Sequence, residues 1–267
     1  GGWYLLSGSY DGHVAKWAFT SKWRCLNPTK PVVFKDGGSC SVYDLALVPG
    51  TGSKYFLGAC DQRIKIFDMD EERVIQLLDI HYDSNADFVS FFQPWQDISS
   101  SVESGEASSP CLWFVTRGVP ALNPDGTLAG KCVCQVHKLF LPDGPDAQFG
   151  LSTVHTLHHA DYQSDVTPVR MAVNGRYVFA PSVGGHIFVW ELLTGKLVAI
   201  LDECGGTHAL IQHEGGDVFP LPLVDAPVSC CRCCVVTGGA APVPQACILW
   251  RCRRPNPHSV PGGGGRC

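Results

Sequence analysis

Residues 5–17 read LLSGSYDGHVAKW. Two apolar residues lead into small residues, an Asp-Gly pair follows, and alternating apolar residues then run to Trp17. An Asp-Gly pair between two such runs is typical of a tight β-hairpin. A two-stranded hairpin is marginally stable at best in water, so other strands must pair with it. The stretch therefore predicts a larger antiparallel sheet.

The same pattern returns twice along the chain. Residues 55–69 read YFLGACDQRIKIFDM, with Asp61 at the turn and Phe67 near the end. Residues 177–192 read YVFAPSVGGHIFVWEL, with a Gly pair at the turn and Trp190 near the end. Further apolar segments flank both hairpins: SVYDLALVP at 41–49, VIQLL at 74–78, TPVRMAV at 167–173 and KLVAIL at 196–201. The repeating unit is therefore four short strands.

A third, less regular unit lies between these two. Its predicted strands are FVSFFQP at 88–94, LWFVTRG at 112–118, KCVCQVHKLFL at 131–141 and STVHTLHH at 152–159. A Ser-rich insertion separates the first two strands at about residues 97–110. Its polar composition is typical of a linker or a phosphorylation site.

A repeat of four strands, with Trp17 and Phe67 50 residues apart, indicates a β-propeller. LLSGSYDGHVAKW, and GGHIFVWELLTGKLVAIL at 184–201, resemble the WD40-repeat family, and the resemblance covers about residues 3–203. It implies structural roles in the blades for six residues: Ser7, Asp11, Trp17, Asp61, Phe67 and Trp190. It also implies that the turn aspartates bond inward to a histidine near the start of a blade. His81, His159 and His208 lie near such places.

The expected fold is thus all-β: a propeller of four-stranded antiparallel blades, with about four recognisable blades and a possible degenerate fifth. Residues 1–203 form the predicted blades, and residues 204–267 form a Cys/Pro/Gly-rich segment, read as either a degenerate blade or a disordered tail. Three candidate strands lie in that segment, at 216–224, 234–239 and 247–250. Because the chain begins inside a blade pattern, we expect an incomplete propeller.

Cysteine usage bears on the compartment and on metal binding. Of the 14 cysteines, Cys60, Cys132 and Cys134 lie in apolar strand patterns, which favours reduced thiols in an intracellular protein, nuclear or cytoplasmic. Zinc needs four ligands in tetrahedral geometry. Four cysteines of the C-terminal segment could supply these ligands, and one histidine lies nearby: Cys230, Cys233, Cys247, Cys252 and His258. Their spacing does not match any known zinc-finger pattern.

Charge and hydropathy exclude two other classes of partner. The net charge of −5, without a long basic run, gives no electrostatic footprint for nucleic acid. There is no run of 18 apolar residues, so we expect no membrane-spanning helix.

No residue set supports catalysis, and we expect no enzyme, no cofactor and no small-molecule ligand. A cluster of His155, His158, His159 and Asp161 is interpreted as an ordinary loop, since a strand does not bring His155 and His159 to one metal. Interaction remains: a non-enzymatic WD40-repeat scaffold binding protein partners in an intracellular complex. Arg63, Arg117 and Arg176, at or near loops, are the candidate contacts. The alternative is a propeller whose C-terminal zinc module recruits a nucleic acid or a ubiquitin-ligase partner.

Overall fold

The structure is a computed structural model of the 267-residue chain. It describes residues 3–22, 24–34, 41–94, 111–127, 129–130, 132–144, 147–163, 170–182 and 185–201, together with the backbone of four later strands. In these residues the chain is all-β, and the expected fold class is confirmed.

Three sheets have four antiparallel strands each. Sheet 2 contains β4 (Val42–Leu47), β5 (Tyr55–Cys60), β6 (Arg63–Asp68) and β7 (Arg73–Leu77) in that order. Sheet 3 contains β8 (Asn85–Phe92), β9 (Cys111–Val119), β10 (Val133–Phe140) and β11 (Gly150–Leu157). Sheet 4 contains β12 (Ala172–Val173), β13 (Tyr177–Pro181), β14 (Ile187–Glu191) and β15 (Leu197–Leu201). Each strand lies within or beside a segment that the sequence pattern predicts.

Sheet 1 joins distant parts of the chain. It contains β1 (Trp3–Gly8), β2 (Val14–Phe19) and β3 (Val32–Phe34), followed in the sequence by β18 (Ser229–Thr237) and β19 (Cys247–Cys252), in the order β19-β18-β1-β2-β3. The partner of the opening hairpin is thus β18, which pairs antiparallel with β1 from Trp3↔Thr237 to Ser7↔Cys233.

The later strands do not form one further four-stranded blade. β16 (His208–Gln212) and β17 (Val218–Pro222) form a separate two-stranded sheet, called sheet 5, while β18 and β19 extend sheet 1. Among the described strands, the five sheets remain separate and do not close into a ring.

Apolar side chains fill the spaces between neighbouring sheets. One cluster joins sheets 1 and 2, with Leu6, Val14, Phe34, Val42, Phe56 and Phe67. A second joins sheets 2 and 3, with Leu57, Ile64, Ile66, Val89 and Phe114. A third joins sheets 3 and 4, with Val115, Cys134, Val136, Val178, Phe188 and Trp190. Burial of this apolar area supplies the main stabilisation of the fold.

A register shift recurs where the third strand meets the outer one. It falls between Ile66 and Phe67 in sheet 2, between Val136 and His137 in sheet 3, and between Val189 and Trp190 in sheet 4. The second residue of each step occupies what we call the marker position. His137 is therefore the marker of sheet 3. The sequence pattern, based on Trp and Phe residues, does not identify it.

Candidate interaction surface

Turns and connections are hydrogen-bonded together at one end of the sheets, which we call the rim. It comprises the turns 9–13, 61–62, 120–132 and 182–186 and the connections 41–42, 78–84 and 158–163, where described. The Val42 amide donates to the Ser9 carbonyl at 3.0 Å, and the Tyr82 amide donates to the Gln62 carbonyl at 3.1 Å. The Ser182 hydroxyl donates to the Gln163 carbonyl at 2.8 Å. These bonds fix three of the turns, 9–13, 61–62 and 182–186, to the connections beside them.

Exposed aspartate–histidine pairs recur along the rim. Asp11 lies 3.1 Å from His13, Asp79 lies 3.2 Å from His81, and Asp161 lies 3.6 Å from His159, measured between carboxylate oxygen and ring nitrogen. Other aspartates on the rim are Asp61, Asp83 and Asp125. In each pair the partners are two residues apart, so the contact is local to its turn.

The inward role predicted for Asp11 is wrong. Its side chain is 65% exposed, and its carboxylate accepts from the His13 amide of the same turn at 3.1 Å. Slight burial opposes ionisation, but the bonds from His13 and Ser9 outweigh it and hold the pKa of Asp11 below its ordinary value. The Asp11 carboxylate is thus held by its own turn and is largely exposed to solvent.

Asp61 shapes the backbone of its turn. Its φ is +50°, a left-handed conformation that Asp adopts more readily than most residues. Its carbonyl accepts a bond from the Ala86 amide, which ties the turn to the start of sheet 3. Asp61 thus acts through the main chain rather than through the predicted histidine contact.

A cavity of about 470 Å³ opens on the rim between the turn 120–132 and the connection 158–163. Its lining consists of Gly126, Thr127, Gly130, Cys132, Ala160, Tyr162 and Gln163. The Tyr162 side chain is buried, and burial raises its pKa well above the ordinary value.

Arg117 does not lie on a loop, and its predicted exposure to partners is wrong. It belongs to β9, and its side chain is 0% exposed. Nε donates to Oδ1 of Asp87 at 2.9 Å, and Nη2 donates to Oδ2 of the same residue. A register shift between Ala86 and Phe88 places Asp87 opposite the guanidinium. The pair bridges β8 and β9 inside the protein.

The charge state of this pair follows from its surroundings. Burial alone disfavours the charged guanidinium, but the Asp87 carboxylate outweighs burial and raises the pKa of Arg117. Burial raises the pKa of Asp87, and Arg117 opposes that shift. Removal of either partner would leave the other charge buried and unpaired, which is costly.

A chain of buried polar side chains crosses sheet 3. The Tyr82 hydroxyl bonds to Thr116, whose hydroxyl lies 2.8 Å from Nε2 of His137. Nδ1 of His137 lies 3.0 Å from the Thr153 hydroxyl. Burial lowers the pKa of His137 to about 3, so the ring is neutral at physiological pH. A neutral imidazole can donate with one nitrogen and accept with the other, and hydroxyl neighbours can satisfy both roles.

Two other buried carboxylates also stabilise the fold. Oδ2 of Asp44 accepts from the Val89 amide at 2.9 Å, which links sheet 2 to sheet 3. Oδ1 of Asp68 accepts from the amides of Asp70 and Glu71, at 2.7 and 2.9 Å. Asp68 is buried at the end of β6, although the next acidic residues, Asp70 and Glu71, are exposed.

The remaining predicted site residues occupy distinct places. Trp17 donates from Nε1 to the Ser7 hydroxyl at 2.9 Å. Phe67 and Trp190 are buried at marker positions. The other two predicted arginines differ in position: Arg63 begins β6 next to the rim, whereas Arg176 is exposed in the turn between β12 and β13.

Arg176 therefore lies away from the rim. Successive turns of an antiparallel sheet lie at opposite ends, so the β12–β13 turn and the β13–β14 turn face opposite directions. Nε of Arg176 lies 3.6 Å from Glu191, and its guanidinium lies 5.2 Å from the centre of the Tyr177 ring. Arg63 and Arg176 cannot contribute to one small contact area.

The described part of the chain contains neither a metal-binding cluster nor a membrane-spanning helix. That part contains no group of three or more His, Cys, Asp or Glu side chains placed to hold a metal. It also contains no helix long and apolar enough to cross a membrane. Cys230, Cys233, Cys247 and Cys252 belong to β18 and β19, where only the backbone is described, and His258 lies outside the described residues.

Comparison with solved structures identifies the fold that these sheets form. The chain is similar to the beta-propeller domain of Cps50 (Swd1) from Myceliophteria thermophila, with 14% sequence identity and a TM-score of 0.50. The match covers 92% of this chain and 67% of that one. The fold is a β-propeller. No protein-family model and no curated protein matches the sequence.

Proposed function

We propose that this propeller is a non-enzymatic scaffold of the WD40-repeat type that binds a protein partner within an intracellular complex. The proposal rests on one observation: some polar side chains are buried within the sheets, and others are exposed on the rim. Asp44, Asp68, Asp87, Arg117 and His137 are buried and engaged in contacts that stabilise the sheets. The rim carboxylates Asp11, Asp79 and Asp161 are instead exposed, at 65%, 93% and 78%.

The WD40 assignment is supported by contacts between residues that carry the sequence resemblance. Ser7 and Trp17 belong to LLSGSYDGHVAKW and are joined by a hydrogen bond across β1 and β2. Phe67 and Trp190 take the same marker position in sheets 2 and 4. Trp17, Phe67 and Trp190 thus lie on the strands that follow the repeated turns.

The rim is the contact surface we favour, and a basic protein segment is the partner that fits it. Asp79 is 93% exposed and Asp161 is 78% exposed, so both carboxylates are open to solvent. Complementary charge accelerates and orients association. The predicted contacts at Arg63 and Arg176 remain proposals, and only Arg63 is next to this end.

Charge reversal at each end of the propeller tests the proposal. The tagged chain is purified from its native cells, and co-purifying proteins are quantified by mass spectrometry. We expect a stoichiometric partner that is lost from Asp79→Lys/Asp83→Lys and retained by Arg176→Glu. Arg24→Glu, at an exposed turn of sheet 1, is the matched control.

Three other outcomes would contradict parts of the proposal. Loss with Arg176→Glu alone would move the contact to the opposite end. Recovery of chaperones alone, from a chain that circular dichroism shows to be folded, would remove the scaffold proposal. One equivalent of zinc in the same preparation would favour the alternative C-terminal metal module.

A further inference from the structure

A pair of tyrosine rings lies at the rim where sheets 1 and 2 meet. Tyr10 belongs to the β1–β2 turn and is 37% exposed, whereas Tyr43 belongs to β4 and is half-buried. Their ring centres are 5.4 Å apart, and their planes lie at 87° to each other. Edge-to-face packing of this kind is a preferred arrangement of aromatic rings. It leaves a corner in which one small group can contact both rings, and together with Asp61 of the β5–β6 turn we call it the tyrosine corner.

A register shift brings Tyr43 to this position. The shift falls between Val42 and Asp44 in the pairing of β4 with β5, so Tyr43 is the extra residue. A bulge of this kind can re-aim a side chain out of the regular alternation of its strand. The matching shift in sheet 3 leaves Asp87 as the extra residue, and that side chain is buried. The same local device therefore presents a ring at the rim in sheet 2 and a carboxylate inside the protein in sheet 3.

Hydrogen bonds hold the parts of the tyrosine corner together. The Ser41 hydroxyl donates to the Tyr10 carbonyl at 3.1 Å, and the Asp61 amide donates to the Ser41 carbonyl at 3.4 Å. The Asp61 carbonyl in turn accepts from the Ala86 amide. Ser41, two residues before Tyr43, thus joins the turn of Tyr10 to the turn of Asp61. A site that is held in place before binding loses less freedom when a ligand arrives.

Negative charge faces the ring of Tyr43. Burial raises the pKa of Tyr43 above its ordinary value, a bond with Ser41 opposes the shift, and the Asp61 and Asp87 carboxylates add to it. Asp87 is paired with Arg117, which leaves Asp61 as the carboxylate that a ligand can reach. In the described part of the chain, no lysine or arginine side chain lies over the Tyr43 ring. An aromatic face beside a carboxylate attracts a cation.

A guanidinium group suits the tyrosine corner better than an ammonium group does. A guanidinium is planar, so it can lie flat on an aromatic ring while its N–H groups point outward, in its own plane, to a carboxylate. The compact ammonium of lysine has no flat face. Two perpendicular rings and the Asp61 carboxylate meet both needs of an arginine side chain.

We propose that the tyrosine corner binds an arginine side chain of the basic protein segment that contacts the rim. The guanidinium stacks on one of the two rings and donates to the Asp61 carboxylate. This inference rests on the proposed function, and it names the side chain through which the partner is anchored. A single exposed contact of this kind is weak, so the partner adds further contacts along the rim.

Titration of the isotope-labelled full chain with acetyl-glycyl-arginyl-glycinamide, followed by NMR, tests the tyrosine corner directly. We expect saturable shifts of the Tyr10, Tyr43 and Asp61 amide signals, with a dissociation constant in the millimolar range. The matching lysine peptide should bind more weakly, and the citrulline peptide, which keeps the shape and lacks the charge, should not bind. Equal binding of the citrulline peptide, tighter binding of the lysine peptide, or no saturable shift at these amides would overturn the proposal.

Matched variants separate the ring from the charge. Tyr10→Leu should weaken arginine binding by about threefold or more, whereas Tyr10→Phe should retain it. Tyr4→Leu is the control, since Tyr4 is 38% exposed on β1, and equal losses in Tyr4→Leu and Tyr10→Leu would contradict the site. Asp61→Asn should weaken binding by a similar factor, because asparagine also tolerates a positive φ and lacks the charge. Asp70→Asn, at the exposed turn between β6 and β7, should leave binding unchanged.

Partner recovery from cells distinguishes failure of this inference from failure of the scaffold proposal. Binding of the arginine peptide at the tyrosine corner, with no partner co-purifying, would remove the scaffold and keep the arginine site. A partner that is lost from Asp79→Lys/Asp83→Lys but fully retained by Asp61→Asn would keep the scaffold and overturn the arginine site.

Discussion

Sheets 2 and 3 fill the same marker position with chemically different side chains. Phe67 in sheet 2 pairs with Phe56 and packs against Gly58, two residues further along β5; a Cβ at Gly58 would lie 2.8 Å from the Phe67 ring. His137 in sheet 3 pairs with Phe114 and hydrogen-bonds to Thr116, two residues further along β9. The geometry is shared, whereas one contact is apolar and the other polar.

Sheets 1 and 4 show the same division. Trp17 pairs with Leu5 and donates to Ser7, whereas Trp190 pairs with Val178, two residues before the small Ala180. At this position the second strand carries a hydroxyl where the ring is hydrogen-bonded, at Ser7 and Thr116, and a small residue in the other two sheets, at Gly58 and Ala180. The blade geometry requires a matched pair of residues rather than a particular aromatic residue.

The largest effect is expected at the buried ion pair of sheet 3, Asp87 and Arg117. Arg117→Met should lower the free energy of unfolding by about 3–5 kcal/mol, because Asp87 is left buried and unpaired. Urea denaturation measures this change. The double variant Asp87→Leu/Arg117→Met should recover most of the loss, since it removes both charges. A loss below about 1 kcal/mol in the single variant would contradict the buried pair.

An apolar marker should cost a similar amount by a different mechanism. Trp190→Ala should lower the free energy of unfolding by about 3–5 kcal/mol, through lost burial and the cavity left behind. The ring is 1% exposed and lies 5.2 Å from Tyr162 and 5.6 Å from Phe188, between ring centres. Thermal and urea unfolding report the change. Trp190→Phe should lose less, and equal losses would argue against a packing origin.

The polar marker should make stability depend on pH. His137 has a folded pKa of about 3 against 6.5 in the unfolded chain, so the unfolded chain binds the extra proton between these values. The free energy of unfolding should therefore fall as pH drops from about 6.5 to about 3, with a slope of at most about 1.4 kcal/mol per pH unit from this ring.

The variant His137→Phe isolates that contribution, because it keeps a ring against Phe114 and removes the titrating group. Its unfolding free energy, measured in urea at several pH values, should fall less steeply than that of the wild-type chain. His158→Gln, at an exposed position, is the control. Parallel pH profiles for wild type and His137→Phe would refute a neutral buried ring.

The smallest effects separate two residues of the opening hairpin. Ser7→Ala should cost about 1 kcal/mol, because the Trp17 ring loses its acceptor. Asp11→Ala should change stability by less than about 0.5 kcal/mol, since its carboxylate is exposed. Thermal unfolding of the two variants decides the order. A larger loss of stability in Asp11→Ala than in Ser7→Ala would support the inward contact that the resemblance implies.

Local pattern predicted most strands, and non-local geometry accounts for what it missed. Alternation of apolar residues located β5, β6, β13 and β14, because half-buried strands impose a period of two. His137 was missed since a polar ring does not stand out as an aromatic marker. Arg117 was misplaced because the register shift that brings Asp87 to it leaves no mark in the sequence.

The C-terminal strands illustrate the same limit. β17, β18 and β19 lie close to segments that apolar runs pointed out, but their pairing could not be inferred. Pairing of β18 with β1 links residues more than two hundred positions apart, and neither strand encodes its partner. Proline density around β17 also weakened the case for strands there, because proline removes a ladder donor.

The pairing of β1 with β18 also sets an order of events during synthesis. Sheets 2, 3 and 4 are each built from consecutive strands, so each can form soon after its own residues leave the ribosome. Sheet 1 must wait until Thr237 has emerged, and closing so long a loop carries an entropic cost that local hairpins avoid. Until then β1 keeps an unpaired edge, which leaves the opening hairpin open to pairing with a wrong strand.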